Sequence, residues 1–270
     1  MRVRMILKQG CLLLVLVIWL LPLYWMLLAS LRLPGTPPAP TITWLPQHPS
    51  LNSYAQAAAI VPLWTFLGNS LLIMGITVPL TIVSASWAAL GIMYLRPSLR
   101  IWVLGTLIGC LLIPTQMVWL PRFILFAKLK LIDSYWPLIV PAFMGSSPLF
   151  VLLFYWAMRR IEPETLEAAS LDGAHTLQIW ATIVMPHVVP TTVTVIVLTT
   201  VLYWSDFITP LMYLKSESRY PLSVGLSILQ QMDRANWPIL MAGAVIMTLP
   251  LILGFLLIQR LFWRSMLDSR

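Results

Sequence analysis

Four of the nine acidic residues, Glu162, Glu164, Glu167 and Asp172, sit in one short polar stretch of a chain that is otherwise nearly free of charge. The stretch reads Arg159-Arg160-Ile161-Glu162-Pro163-Glu164-Thr165-Leu166-Glu167-Ala168-Ala169-Ser170-Leu171-Asp172-Gly173-Ala174 and runs on to Ile183-Val184-Met185-Pro186. Its residue types describe two short helices joined by a turn. Pro163 suits a first helical position, and Glu164 and Glu167 lie toward the positive end of that helix's dipole. Gly173 stands where a left-handed residue ends a helix, a conformation that costs other residue types about 1–2 kcal/mol. Residues Thr176 to Val184 suit the second helix, with Pro186 expected to stop it. Leu166, Ala169 and Gly173 share one helix face at i, i+3 and i+7, small enough for another surface to come close. The chemistry on offer is docking, not bond making.

Nothing elsewhere competes with that reading. His48, His175 and His187 are scattered along the chain, and no Ser/His pair, carboxylate dyad or metal-ligand cluster accompanies them. Cys11 and Cys110 lie inside apolar runs and read as small hydrophobes. No Gly-rich loop with a lysine is present to cradle a phosphate, so no nucleotide site of that type belongs to this chain.

The hydrophobic fraction of 59% and charged fraction of 10% leave too little polar surface for a water-soluble domain. The mean hydropathy of +0.87 agrees. A hydrocarbon core about 30 Å thick takes about 20 apolar residues per helix, which gives 270 residues room for six spans. The expected fold is all-α and polytopic, a single membrane domain over 1–270, with spans near 9–31, 64–95, 101–120, 135–158, 187–213 and 237–259. The polar stretch 159–186 is then the loop between the fourth and fifth. Seven of the 22 prolines, from Pro34 to Pro62, mark an extended loop after the first span. A short piece after the third, with Arg122, Lys128, Lys130 and Asp133, suits an amphipathic segment at the interface. The basic start followed by an apolar run of transmembrane length reads as an uncleaved first span.

The formal charge of +8 points to topology and anionic headgroups in place of nucleic acid. With the N-terminus inside, ten of the 17 Lys and Arg face the cytoplasm, an excess too small to orient the protein alone. Trp44, Trp64, Trp136, Trp204, Trp237 and Trp263 fall near span ends, as an aromatic belt requires. Asn69, Thr115, Gln116 and Asp206 are polar groups within spans. They suit a path for a polar solute, and equally hydrogen bonds between helices or, for Asp206, a cap or a carboxylate reaching interfacial water.

The polar stretch resembles the cytoplasmic signature of the permease subunits of bacterial binding-protein-dependent ATP-binding-cassette importers: Glu-Ala-Ala, three residues, Gly, nine residues, Ile, one residue, Leu-Pro. Glu167-Ala168-Ala169, Gly173, Ile183 and Met185-Pro186 reproduce that spacing, with Met for Leu as the departure. Asp172-Gly173-Ala174 is similar to the carbohydrate, maltose-type branch. Leu51-Asn52-Ser53-Tyr54, Asn69-Ser70-Leu71, Ala88-Ala89-Leu90-Gly91, Leu131-Ile132-Asp133-Ser134, Trp204-Ser205-Asp206-Phe207 and Gln259-Arg260 look like further landmarks in family order. The end, Trp263 to Arg270, lacks the Gly- and Lys-containing tail many members carry.

The resemblance implies a six-span permease fold of the type I importer kind, in the bacterial inner membrane with both termini cytoplasmic. It implies a transport subunit, not an enzyme, that forms half of a pathway for a sugar or related polar solute. Its partners would be a second permease subunit, a dimer of ATPases carrying ATP and Mg, and an extracytoplasmic solute-binding protein. The loop would be the coupling element, with Glu167 as the charged contact to the ATPase, Ala168 and Ala169 as the close-packing surface, and Gly173 as the turn. Asp172, Ile183 and Pro186 complete the motif. Two other classes fit the composition. A self-contained secondary transporter calls for an internal repeat and an embedded ion site, and an intramembrane enzyme calls for paired catalytic groups at one depth. Neither pattern is apparent.

Overall fold

The computed structural model describes residues 2–37, 44–45, 48–231 and 236–268. Pro38, Pro40 and Pro46 of the proline-rich loop lie outside the described residues, as does Arg270. The regular structure among the described residues is helical throughout. Four stretches are long and apolar enough to cross a membrane: 8–30, Leu63–Met93, Trp136–Met158 and 237–257. Two bent helix pairs raise the number to six if each counts as one span.

The chain forms two compact units. The first comprises residues 1–66 and 222–253. It holds α1 (Arg2–Ser30), α2 (Asn52–Ile60), the start of α3 (Leu63–Met93), α13 (Leu222–Gln230) and the first part of α14 (Trp237–Asp268). Its buried side chains include Val61, Phe66, Leu222, Leu229 and Ile239. Ser53 donates to the carbonyl of Arg32 at 2.7 Å and Ser30 pairs with the Tyr54 hydroxyl at 2.8 Å, so the start of α2 is tied to the end of α1.

The second unit comprises residues 67–221 and 254–270. It holds most of α3, then α4 (Pro97–Leu111), α5 (Trp119–Lys128), α6 (Trp136–Phe143), α7 (Pro148–Met158), α8 (Pro163–Leu171), α9 (Thr176–Ile179), α10 (Met185–His187), α11 (Val189–Ser205) and α12 (Ile208–Tyr213). Its core gathers Ala85, Ala89 and Leu90 of α3, Phe150, Phe154, Tyr155 and Met158 of α7, and Val195 of α11. Arg100 donates to the carbonyls of Met93 (2.5 Å) and Leu95 (3.0 Å), so a cation closes the end of α3 where the helix leaves carbonyls unpaired.

Several expected spans are interrupted. The third is not one straight helix: α4 ends at Leu111, a 3₁₀ turn covers Thr115–Val118, and α5 leaves at 94° to α4. Pro114, with no N–H to donate and an extended ψ of 129°, sets the break. Within the fourth, α6 and α7 are separated by Gly145 (φ +76°), Ser146 (φ +56°) and the helix-capping Ser147, which accepts from the Leu149 N–H at 3.3 Å. A Cβ at position 145 would stand 3.2 Å from Val151 and 3.3 Å from Ala85, so space as well as torsion favours glycine there. The fifth ends its main helix at Ser205, and α12 follows after Asp206 turns extended. The sixth runs on past Gln259 to Asp268. Trp204 is 3% exposed and belongs to the packed interior, not to an aromatic belt. Trp44, Trp64 and Trp136 are exposed, and the Trp263 side chain lies outside the described residues.

Candidate functional site

The acidic hairpin between α7 and α11 lies entirely in the second unit. Pro163 occupies the first turn of α8, and Glu162 before it is extended (φ −62°, ψ 127°). At the other end Gly173 adopts φ +85°, with the Gly173 N–H donating to Ser170 O at 3.1 Å and the Ala174 N–H to Ala169 O at 3.0 Å. This paired left-handed cap satisfies carbonyls that the helix would leave bare. No atom lies within 4 Å of a Cβ built at position 173, so the torsion alone selects glycine. His175 opens α9 by accepting the Gln178 N–H on Nδ1 at 3.1 Å, a role its isolation in the chain gave no hint of.

The second arm departs from the expected single helix. After one turn of α9 it widens into a π turn over Trp180–Val184, then continues through α10. The Met185 N–H reaches back to Trp180 O. Pro186 therefore does not stop the helix: it sits in the first turn of α10, where its missing N–H is tolerated. The stop comes at Val188 (φ −102°, ψ 19°), after which the chain bends by 85° into α11. His187 Nδ1 stands 2.7 Å from Ile183 O.

The base of the hairpin is locked to the unit's core. Ile161, Leu166, Ile179 and Val184 are buried there, with Ala169, Ala174 and Ile183 packed against them. Leu166 and Ala169 thus turn inward while Gly173, the third member of that face, stays exposed, and Ala169 serves the hairpin's own footing. Trp180 donates its indole N–H to Ser86 Oγ of α3 at 3.1 Å, and its ring lies 5.7 Å from that of Trp87. Ser86 has no exposed surface, and its hydroxyl, which accepts from the indole, also donates to the Val83 carbonyl at 3.1 Å, so it is satisfied as acceptor and donor.

The outward side carries the opposite character. Glu162, Glu164, Glu167, Ala168, Asp172 and Gly173 are exposed, as is Pro186. Leu171 at the tip is 88% exposed and Leu177 53%. Among the described residues, Glu164, Glu167 and Asp172 form no ion pair. Leu171 is thus an exposed apolar side chain at the tip of a hairpin whose other exposed residues include Glu164, Glu167 and Asp172.

A second feature of this unit is a cavity of about 420 Å³ lined by residues of α3, α5, α6, α11 and α12, within the roughly 300–1,000 Å³ of small-molecule pockets. Thr115, Gln116 and Asp206 all line it. Asp206 also caps α12, its Oδ1 accepting the Thr209 N–H at 3.1 Å. Asn69 is not part of the wall: its amide donates to Ser218 O (2.8 Å) and Tyr220 O (2.9 Å), pinning α3 to the segment before α13. Arg122, which the hydropathy pattern placed in an interfacial segment, and Trp119, near the end of the expected third span, are wall residues.

Outside the spans, Asp133 (φ +61°) clamps the α5–α6 connection to the segment after α12. Its Oδ1 accepts the N–H groups of Lys215 and Ser216, both at 2.9 Å, and its Oδ2 accepts the Ser216 hydroxyl at 2.5 Å and Arg219 at 2.7 Å. The Ser216 hydroxyl, then the two backbone N–H groups, hold its carboxyl at a pKa of about 2, below the usual 3.8, with Arg219 adding a smaller pull.

Residues 77–268 match the family described as binding-protein-dependent transport system inner membrane component. The chain belongs to that family. This inner membrane component is 28% identical over 240 residues to the sulfoquinovosyl glycerol transport system permease protein SmoH of Agrobacterium fabrum, covering 89% of this chain and 84% of the relative. It is 30% identical over 199 residues to the arabinooligosaccharides transport system permease protein AraQ of Bacillus subtilis, covering 74% and 69%. The same fold is found in a bacterial ABC transporter involved in the import of the acidic polysaccharide alginate, with a TM-score of 0.78 at 19% identity over 96% of both chains.

Proposed function

We propose that this inner membrane component forms half of the translocation pathway of an ATP-driven importer for a sugar or related polar solute, coupled to a separate ATPase through the hairpin 159–186. The observation that carries the reading is the exposed Leu171 among unpaired carboxylates, on a hairpin whose base is packed into the core. A groove on an ATPase with basic residues at its rim matches that surface, with Leu171 as the apolar anchor and Glu167 as the charged contact. Ala168 and Gly173 let the partner's backbone approach, while Ala169, Ile183 and Pro186 shape the hairpin itself.

The mechanism is mechanical. Closure of two ATPases around ATP and Mg displaces the hairpin, and the hairpin's rigid footing carries that displacement to α3 and α7. Shifting a two-state equilibrium from 1:99 to 99:1 takes about 5.5 kcal/mol, and a compliant joint would dissipate much of it. This chain supplies one hairpin for two ATPases, so a second permease subunit completes the pathway and an extracytoplasmic binding protein delivers the solute. Hairpin and termini then face the cytoplasm. A sugar cargo follows from the relatives, whose names refer to sugar compounds.

The test is co-purification of the assembled importer. The unaltered chain is expected to bring down an ATPase and a second permease. Glu167→Arg is expected to leave it membrane-inserted but to weaken ATPase retention about tenfold and stop uptake. Retention and uptake both unchanged by that reversal of charge would rule out the coupling role.

A further inference from the structure

The cavity of the second unit contains one cation and one carboxylate in its wall, and the protein uses them differently. Asp206 is committed to the helix end it caps, through the Thr209 N–H at 3.1 Å. Arg122 makes one hydrogen bond among the described residues, at 3.4 Å to the carbonyl of Pro137. That contact is at the long end of the range and engages one of the five N–H donors of a guanidinium. An arginine in a cavity wall with most of its fork unspent presents planar, bidentate donation to an oxyanion. Thr115 and Gln116 add hydroxyl and amide groups of the kind that pair with sugar hydroxyls, and Trp119 adds an aromatic ring to the same wall.

We propose that this cavity is a subsite for an acidic saccharide unit, with Arg122 holding its carboxylate or sulfonate and Thr115 and Gln116 reading the ring hydroxyls. The proposal rests on the importer reading above and adds the charge class of the solute to it. A neutral sugar would leave the guanidinium's donors facing the cavity without an anion, so the site discriminates by what it fails to satisfy.

The experiment uses the assembled complex with its ATPase, purified in detergent without the binding protein, and measures equilibrium binding of labelled digalacturonate, a sulfated galactobiose and neutral galactobiose. At least one acidic disaccharide is expected to bind ten times or more tightly than the neutral one, and which of the two wins separates carboxylate from sulfonate-type recognition. Arg122→Gln is expected to abolish that preference, and Arg122→Lys to keep part of it. Equal binding of acidic and neutral probes, no binding of any, an unchanged preference in Arg122→Gln, or an anionic lipid held at Arg122 in native mass spectra would each overturn the proposal. Size-exclusion profiles and ATPase content are followed in every variant. A complex that keeps its ATPase while showing no acidic preference refutes this subsite alone, whereas a chain that never retains an ATPase refutes the importer reading.

Discussion

Trp180 of the hairpin and Ser86 of α3, 94 positions apart, are joined by an indole-to-hydroxyl hydrogen bond of 3.1 Å. The bond is the one side-chain hydrogen bond between the hairpin and α3 among those described, and a tilted contact between the Trp180 and Trp87 rings accompanies it. It gives the hairpin an attachment near the C-terminal end of α3, a helix 31 residues long. Under the proposed coupling role, this attachment is where a push on the hairpin would reach α3.

Trp180→Phe keeps most of the ring packing and deletes the donor. A hydrogen bond of this kind contributes about 1 kcal/mol, and Ser86 keeps its own donation to the Val83 carbonyl at 3.1 Å. Uptake per ATP hydrolysed is expected to fall several-fold in proteoliposomes while ATPase retention stays normal. An unchanged ratio of uptake to hydrolysis would remove Trp180 from the coupling path.

Gly173 is selected by torsion and not by crowding. Gly173→Asn, which tolerates the left-handed region, is expected to retain ATPase binding, and Gly173→Val to lose it, at a cost of about 1–2 kcal/mol to the turn. Pull-down of the ATPase with the two variants side by side checks this ordering.

Asn69 holds α3 to the 218–220 segment and does not reach the cavity. Asn69→Ala is expected to lower thermal stability by about 1–2 kcal/mol for two lost bonds, with the rank order of transported solutes unchanged. A melting curve and a competition uptake assay read the two effects separately.

Much of the hairpin was legible in the chain, because each device there is local: Pro163 opens a helix, Gly173 ends it, and the spacing to Ile183 and Pro186 lies within one loop. What was not legible depends on distance. Trp180 and Ser86, or Asp133 and Arg219, meet only once the helices pack, and nothing in either residue's neighbours signals its partner. The span breaks were hidden for another reason. Hydropathy averages over a window, and Pro114 or Ser147 in an apolar run barely changes the mean while ending the helix. Ala169 was assigned outward from its small size, whereas size equally suits a face packed on its own core. Leu171 carried a weak local sign, an apolar residue next to Asp172 at a helix end.

The Asp133 clamp gives a pH prediction with a definite sign. The folded carboxyl has its pKa lowered to about 2, so folding favours the charged form. The clamp's contribution is complete above the unfolded value of about 3.9 and is lost as pH falls through about 2. Asp133→Asn is expected to melt at a lower temperature than the unaltered chain at pH 7, with the gap closing as pH drops from about 4 toward 2. A gap independent of pH over that window would show that the carboxylate charge does not hold the clamp.

The most direct measurement places a photo-crosslinking amino acid, p-benzoylphenylalanine, at Leu171 and, as a control, at the equally exposed Met144, in cells carrying the whole importer. The expected result is an adduct between position 171 and an ATPase subunit, absent at position 144 and weakened when Glu167→Arg is added. An adduct from position 144 with none from 171, or no ATPase adduct at all from an importer that is taking up solute, would contradict the assignment of the hairpin as the coupling element.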